Sequence, residues 1–281
     1  MSTLFSFMVD EKNEGFTIRK LLESFQPAKK MVNHLLNKKV MINGEYVKEE
    51  DICHKGDIVH VDFIGTLPKS PKLSSSPKID ILYEDDHLLI VDKPEGLLVY
   101  DDGQASDDLT GRVNLYYHQK GYDLPVLPAH RIDVDTSGMI LYAKHPLALS
   151  YLSQLFERKE IEKVYTCLIR ASIYPKKGTI KDKIMQDRHS PKMMLSQTGL
   201  DALTTYESLG VEGLYERLSL KIETGRKHQI RVHLMGIGYP IVGDTLYRGE
   251  HANRLMLHFN EVRFRHPLSK EIMHITSKVP F

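Results

Sequence analysis

Between residues 66 and 80 the chain reads TLPKSPKLSSSPKID, a run of Pro, Ser and Lys without apolar periodicity. Neither a helix nor a buried strand can be built from such a stretch, so it divides the chain into two units joined by a flexible linker. We place a small module at residues 1–65, the linker at 66–79 and a larger domain at 80–281. The larger unit, of about 200 residues, is long enough to bury a substantial core.

In the first unit, TIRKLLESF predicts a helix capped by Thr17, and PAKKMVNHLLNKK predicts a second. VMINGEYV then reads as two strands about an Asn-Gly turn, and KGDIVHVDF alternates as a closing strand does. On the second helix Lys30, His34 and Lys38 recur at every fourth residue, which predicts a basic stripe. A solvated helix face is the favoured explanation of such a stripe taken alone, and only its place beside a linker suggests a ligand surface.

After the linker, ILYEDDHLLIVDKPEGLLVY predicts two strands and a bend, DDLTGRVNLYYHQ a helix, MILYAK a strand and HPLALSYLSQLFERK another helix. KVYTCLIRA, LTTYESL and YERLSLKIE follow as strands, HQIRVHLMGIG as a helix, and RLMLHFNEVRFRHP as alternating strand sequence. Many short strands with few regular βαβ alternations predict an α+β domain built on a mixed, largely antiparallel sheet, preceded by a small α/β domain.

Global charge is nearly silent about partners, with 38 Lys and Arg against 37 Asp and Glu, so any footprint for nucleic acid must be local. Cys53 and Cys167 form no CxxC pattern, which suits a reducing compartment and argues against a thiolate metal site. No apolar run approaches the roughly 18 residues of a membrane span, and MSTLFSFMVDEKNEG predicts no targeting segment. The expectation is a cytoplasmic protein without a membrane association. His228, His233, His251 and His258 match no zinc signature, so no metal is expected.

Chemistry concentrates in HRIDVDTSG, residues 130–138, immediately before the apolar run MILYA. Taken alone, its Asp, Thr and Ser are turn chemistry. A second charged knot, ETGRKHQIRVH, puts Arg226, Lys227, His228 and Arg231 where a strand meets a helix, a place that favours anions. A solvated basic loop explains it too. Arg231, one turn inside a helix with an apolar face, is positioned to hold a carboxylate bidentately and favour its ionised form.

HRIDVDTSG resembles the HRLDxxTSG motif of the RluA family of pseudouridine synthases, and DKPEGLLV resembles that family's DKPxGLxV segment. KVY within EIEKVYTCLI is similar to its KxY, ETGRKHQIRVHL and GYPIVGDTLYRG to its TGRxHQIRxH and GxPIxGDxxYG, and RLMLHF with FRHP to its closing block. The resemblance runs from about residue 80 to 280. Residues 1–65 resemble the alpha-L RNA-binding motif, a small domain that often precedes this catalytic one.

The resemblance implies an RNA uridine isomerase that breaks the bond between base nitrogen and ribose, turns the uracil and rejoins it through carbon, using one Asp and no cofactor. It assigns Asp133 to that carboxylate, Arg231 to its partner and Tyr165 to the aromatic that stacks on the displaced uracil. Arg131 matches the position that fills the gap left by the extruded base. Lys30, His34, Lys38, Arg226, Lys227 and His228 are the further residues expected to contact RNA. Asp135 occupies a variable position and receives no role, while Thr136, Ser137 and Gly138 are expected to shape the loop. Where the family commonly has a His-Pro pair after DKPxGLxV, this chain has Tyr100 and Asp101, a departure that bears on RNA docking. The implied partner is RNA, with large-subunit ribosomal RNA favoured over transfer RNA, and no obligatory protein partner is inferred. A non-catalytic RNA-binding protein and a two-carboxylate glycosidase are the competing classes. The second is disfavoured because only Asp133 has an evident supporting shell.

Overall fold

A computed structural model describes residues 4–67, 72–101, 103, 107–170 and 172–281. The N-terminal unit comprises β1 (Leu4–Met8), α1 (Ile18–Ser24), α2 (Lys29–Leu36), β2 (Val40–Ile42), β3 (Glu45–Tyr46) and β4 (Ile58–Asp62). Its strands form an antiparallel sheet in the order β1-β4-β2-β3. Thr17 caps α1 by accepting from the Lys20 N–H at 3.2 Å. Asn43 and Gly44, both at positive φ, turn β2 into β3 as the Asn-Gly pair predicts.

The remainder comprises β5 (Asp80–Glu84), β6 (Leu88–Lys93), α3 (Leu109–Gln119), β7 (Leu127–Pro128), β8 (Ser137–Ala143), α4 (Pro146–Glu157), β9 (Glu162–Arg170), β10 (Lys177–Ile180) and β11 (Ile184–Gln186). It continues with β12 (Met193–Leu195), β13 (Thr204–Glu212), β14 (Tyr215–Ile222), α5 (Gln229–Gly236), β15 (Leu257–Arg265) and β16 (Ile272–Thr276). One sheet runs β10-β13-β14-β9-β15-β8-β6-β5, with β16 on β15 and β7 on β8, while β11 and β12 pair separately. Among the described residues its one parallel pair is β15 with β8, so the expected largely antiparallel α+β architecture is the one found.

Strand β8 is buried along its whole length, which explains why MILYA is a continuous apolar run instead of an alternating one. Its junction with β15 is tight: a Cβ on Gly138, at φ +119°, would lie 2.4 Å from the Phe259 carbonyl oxygen. Only glycine fits there. Because β15 also pairs with β9, the order β8-β15-β9 sets the loop before β8 beside Tyr165 on β9.

The two units share an apolar core. Leu124, Leu147 and Leu268 join Phe5, Phe7, Phe25 and Phe63 in one buried cluster, and Phe5 stacks on His145 with ring centroids 4.1 Å apart. Lys270 adds a hydrogen bond to the Ser24 carbonyl at 2.6 Å. Removing the faces of Phe5 and Phe7 from water stabilises this arrangement by about 2 kcal/mol for each ring. The linker is not free over its second half: Ser74 is buried and donates to Asp107, and Lys72 and Ser74 backbone atoms lie over Gly111 of α3. Residues 68–71 lie outside the described residues.

The basic stripe is shorter than its spacing predicts. Helix α2 ends at Leu36, and Lys38 follows at φ 55°, in the turn that feeds β2. Lys38 is therefore off the helix, although it remains exposed, as does Lys30. His34 is half-buried, with Nε2 2.9 Å from the Ile64 carbonyl oxygen, so its ring ties the helix to the segment after β4.

Candidate active site

The loop carrying Asp133 is clasped from beneath by a lysine. Lys93, fully buried, donates to the carbonyls of Pro94, Leu97 and Val134, each at 2.8 Å, and Gly96 N–H donates to Val134 at 2.9 Å. Burial pulls the Lys93 pKa down to about 8, against the opposing pull of Asp135 and Asp133. The Asp133 carbonyl accepts from Thr136 N–H at 3.1 Å, which closes a turn. Ser137 is committed to structure: its hydroxyl lies 2.8 Å from His258 Nδ1 and accepts from Arg254 at 2.6 Å.

Arg231 is shared between two carboxylates. Its guanidinium grips Asp244 bidentately, Nε and Nη2 donating at 2.8 and 2.9 Å, and Asp244 is wholly buried. The third nitrogen faces Asp133 at 3.6 Å, beyond hydrogen-bond length. The fork geometry of an arginine explains the division: two of its nitrogens fit one carboxylate, and the remaining one is aimed at the cleft. Asp133 keeps 22% of its side chain accessible, so one carboxylate is spent on the scaffold and the other is left facing a hollow.

Helix α5 presents Arg231 from one side. The residue before it, His228, adopts φ 54°, uncommon for a residue with a side chain, and its Nδ1 lies 2.9 Å from the Tyr247 hydroxyl. Burial lowers the His228 pKa, which favours the neutral ring. Asp244 also accepts from Tyr247 N–H at 3.2 Å, capping the short 3-10 turn Thr245–Tyr247. Gly243 is required before it, since a Cβ there would overlap the Arg254 carbonyl.

Tyr165 supplies the opposite wall. Its ring stacks on Phe259, directly across on β15, at 4.6 Å and 15°. Burial, and then the charge of Asp133, push its pKa up, so the hydroxyl stays protonated. Among the described residues that hydroxyl bonds to no other protein group. Arg131, Asp133, Tyr165, Arg226, His228 and Arg231 line one cleft.

Of the other residues singled out by sequence, Arg131 is exposed, donates to the Tyr100 hydroxyl at 2.6 Å and lies over that ring. Arg226 donates to the Asp201 carbonyl at 3.1 Å, and Lys227 is exposed. Lys30, His34 and Lys38 do not line the cleft. Sequence reasoning missed Lys93, Asp244 and Tyr247, and weighed His258 only as a metal ligand, not as the partner of Ser137. All but His258 stand in the quoted motifs DKPEGLLV and GYPIVGDTLYRG, and His258 stands in RLMLHF, so the signal was present without a partner to interpret it.

Comparison with known proteins agrees with this architecture. The family model described as RNA pseudouridylate synthase matches residues 87–235, and that of the RluD ribosomal pseudouridine synthase N-terminal domain matches residues 5–59. The chain belongs to the RNA pseudouridylate synthase family and is an RNA pseudouridine synthase, an isomerase. It is 36% identical to the uncharacterized RNA pseudouridine synthase YhcT of Bacillus subtilis over 98% of this chain and 92% of that one. It is 32% identical to the ribosomal large subunit pseudouridine synthase D of Buchnera aphidicola, over 86% of this chain and 85% of that one. In fold it is similar to human RNA pseudouridylate synthase domain containing 4, with a TM-score of 0.62 at 23% identity, covering 72% of this chain and 88% of that one. Among the described residues no helix is long and apolar enough to cross a membrane.

Proposed function

We propose that Asp133 carries the isomerisation of a uridine in large-subunit ribosomal RNA. The observation behind this assignment is the unspent carboxylate: it faces the cleft with Tyr165 on one side and the third nitrogen of Arg231 on the other. The bond from N1 of uracil to C1′ of ribose breaks, the base turns, and C5 bonds to C1′ while C5 loses a proton and N1 gains one. Asp133 acts on the nucleotide as nucleophile or proton acceptor, roles that both use the carboxylate form. Arg231, anchored by Asp244, fixes where that carboxylate points. Tyr165, held neutral, stacks on the freed uracil.

Extruding the uridine costs a few kcal/mol of stacking and pairing, and Arg131 fills the vacated space once it leaves Tyr100. Arg226, Lys227 and His228 contact the RNA around the cleft mouth. On the N-terminal module Lys30 and Lys38 meet phosphates, with His34 holding their segment against the strand end. We take residues 1–65 as the RNA-binding domain, 66–79 as its connection and 80–281 as the catalytic domain, and the cytoplasm as the place of action. Ribosomal RNA is favoured over transfer RNA by the resemblance of residues 5–59 to the RluD N-terminal domain.

The test is tritium release from C5-labelled ribosomal RNA taken from cells lacking the enzyme. Wild type releases the label and Asp133→Asn does not. Release from labelled transfer RNA alone moves the assignment to that substrate, and equal release by both proteins removes Asp133 from the chemistry.

A further inference from the structure

Across Tyr165 from the Asp133 cleft, a second hollow is lined by Arg131, Phe156, Lys159, Lys163, Tyr165 and Arg226. It shares Arg131, Tyr165 and Arg226 with the cleft, so the two hollows adjoin. Lys163 stands two residues before Tyr165 on β9, which sends both side chains from the same face of the sheet.

Three lysines are buried among the described residues. Lys93 donates to three carbonyls, and Lys144 donates to the Asp85 carbonyl at 2.5 Å and pairs with Glu84 at 3.4 Å. Lys163 differs. It is 7% exposed, its ammonium lies 5.6 Å from the Phe156 ring centroid, and among the described residues it has no hydrogen bond and no ion pair. Burial, and then the like charge of Lys159, lower its pKa. His130, which packs on Phe156 at 4.9 Å, is neutral, because its Nε2 accepts from the Leu141 N–H, and adds no charge of either sign. Glu157 and Glu223 also line this hollow, but neither pairs with Lys163.

Lys163 is thus nine-tenths inside the protein with its ammonium open only to the hollow and no anion beside it, and an uncompensated cation so placed is kept where an anion arrives during function. We infer that this hollow takes a backbone phosphate of a nucleotide flanking the extruded uridine, with Lys163 as its inner cation and Lys159 and Arg226 on the solvent side. This rests on the reading of the Asp133 cleft as the uridine site, and it makes Lys163 a positioning residue that sets the strand's register against Tyr165.

The experiment compares wild type, Lys163→Met and Lys163→Arg in three readouts: binding of a twelve-residue oligouridylate across a KCl series, tritium release from C5-labelled ribosomal RNA, and thermal unfolding. Lys163→Met is expected to reduce the slope of log affinity against log salt by about 0.7, the value for one phosphate contact on a single strand. Its loss in turnover falls on KM, by about tenfold, and not on kcat, while its melting temperature equals or exceeds that of wild type. Lys163→Arg restores the slope. An unchanged slope and KM in Lys163→Met overturns the inference, as does a variant that melts lower or fails to fold, since the ammonium is then structural. If wild type releases no tritium while the slope still depends on Lys163, the uridine-site reading fails and the anion site stands.

Discussion

Two polar clusters in this molecule obey opposite rules. Beneath the N-terminal module, Asp85 accepts from the Tyr83 hydroxyl, from His266 and from the N–H groups of His87 and Leu88, all within 2.9 Å, and the rings of His87 and His145 bond to each other at 2.8 Å. Around Asp133 the polar groups are under-paired: the carboxylate stands 3.6 Å from its nearest cation, and the Tyr165 hydroxyl and Lys163 ammonium, both open to the hollows, bond to no protein group among the described residues. Polar groups inside a fold are normally paired, so the first cluster reports structure, and the second, with its bonding capacity left open to a ligand, is where we propose the chemistry. Arg231 carries the contrast within one side chain, with Asp244 on its structural side and Asp133 on its open side.

The largest effect expected from this contrast is on turnover. Asp133→Asn lowers the rate of tritium release by about a thousandfold or more, and thermal unfolding shows no loss of stability. Next comes the other carboxylate. Asp244→Asn leaves a buried guanidinium half-paired and costs about 3–5 kcal/mol, readable in urea unfolding, with turnover lost as a consequence of a misdirected Arg231.

The paired cluster predicts acid sensitivity. Within it, burial holds His87 at about 3 and His145 well below its ordinary value, and outside it burial holds His130 at about 3 and His258 at about 4. Each folded pKa lies below the unfolded value of about 6.5, so the unfolded chain binds protons that the native rings refuse. The stabilisation is complete above pH 6.5 and falls as pH drops toward 3 to 4, by about 1.4 kcal/mol per pH unit for each ring. Melting temperature measured from pH 7 down to pH 5 should decline steadily, and His87→Gln should flatten that decline. A flat profile in wild type would mean that these rings accept protons without disturbing the fold.

The smallest effect expected is at Tyr100. Tyr100→Phe removes the hydroxyl that Arg131 donates to and keeps the ring beneath it, so RNA affinity should change by no more than about threefold. A tenfold change would make that hydroxyl a part of RNA docking.

The order of strands and helices was legible because each motif sits at a boundary where periodicity changes, as where HRIDVDTSG gives way to the buried β8. The carboxylate itself was legible only through its neighbours in sequence. What could not be read were pairings made across the fold. Arg231 and Asp244 lie thirteen residues apart in two separate motifs, and nothing local says that the guanidinium prefers the later acid. The docking of the N-terminal module was equally hidden, since it rests on Phe5 meeting His145 and on Lys270 reaching Ser24. Lys38 misled because a spacing of four residues persists in sequence after the helix has ended. In KVY, nothing in the sequence sets Lys163 apart, and only its burial on the Tyr165 face distinguishes it.

The central claim, that Arg231 divides structure from chemistry between two carboxylates, is tested most directly by measuring unfolding free energy and tritium release side by side for Asp133→Asn and Asp244→Asn. The account predicts a stable, inactive Asp133→Asn and an unstable Asp244→Asn. A destabilised Asp133→Asn that still turns over, beside an Asp244→Asn as stable as wild type, would contradict it.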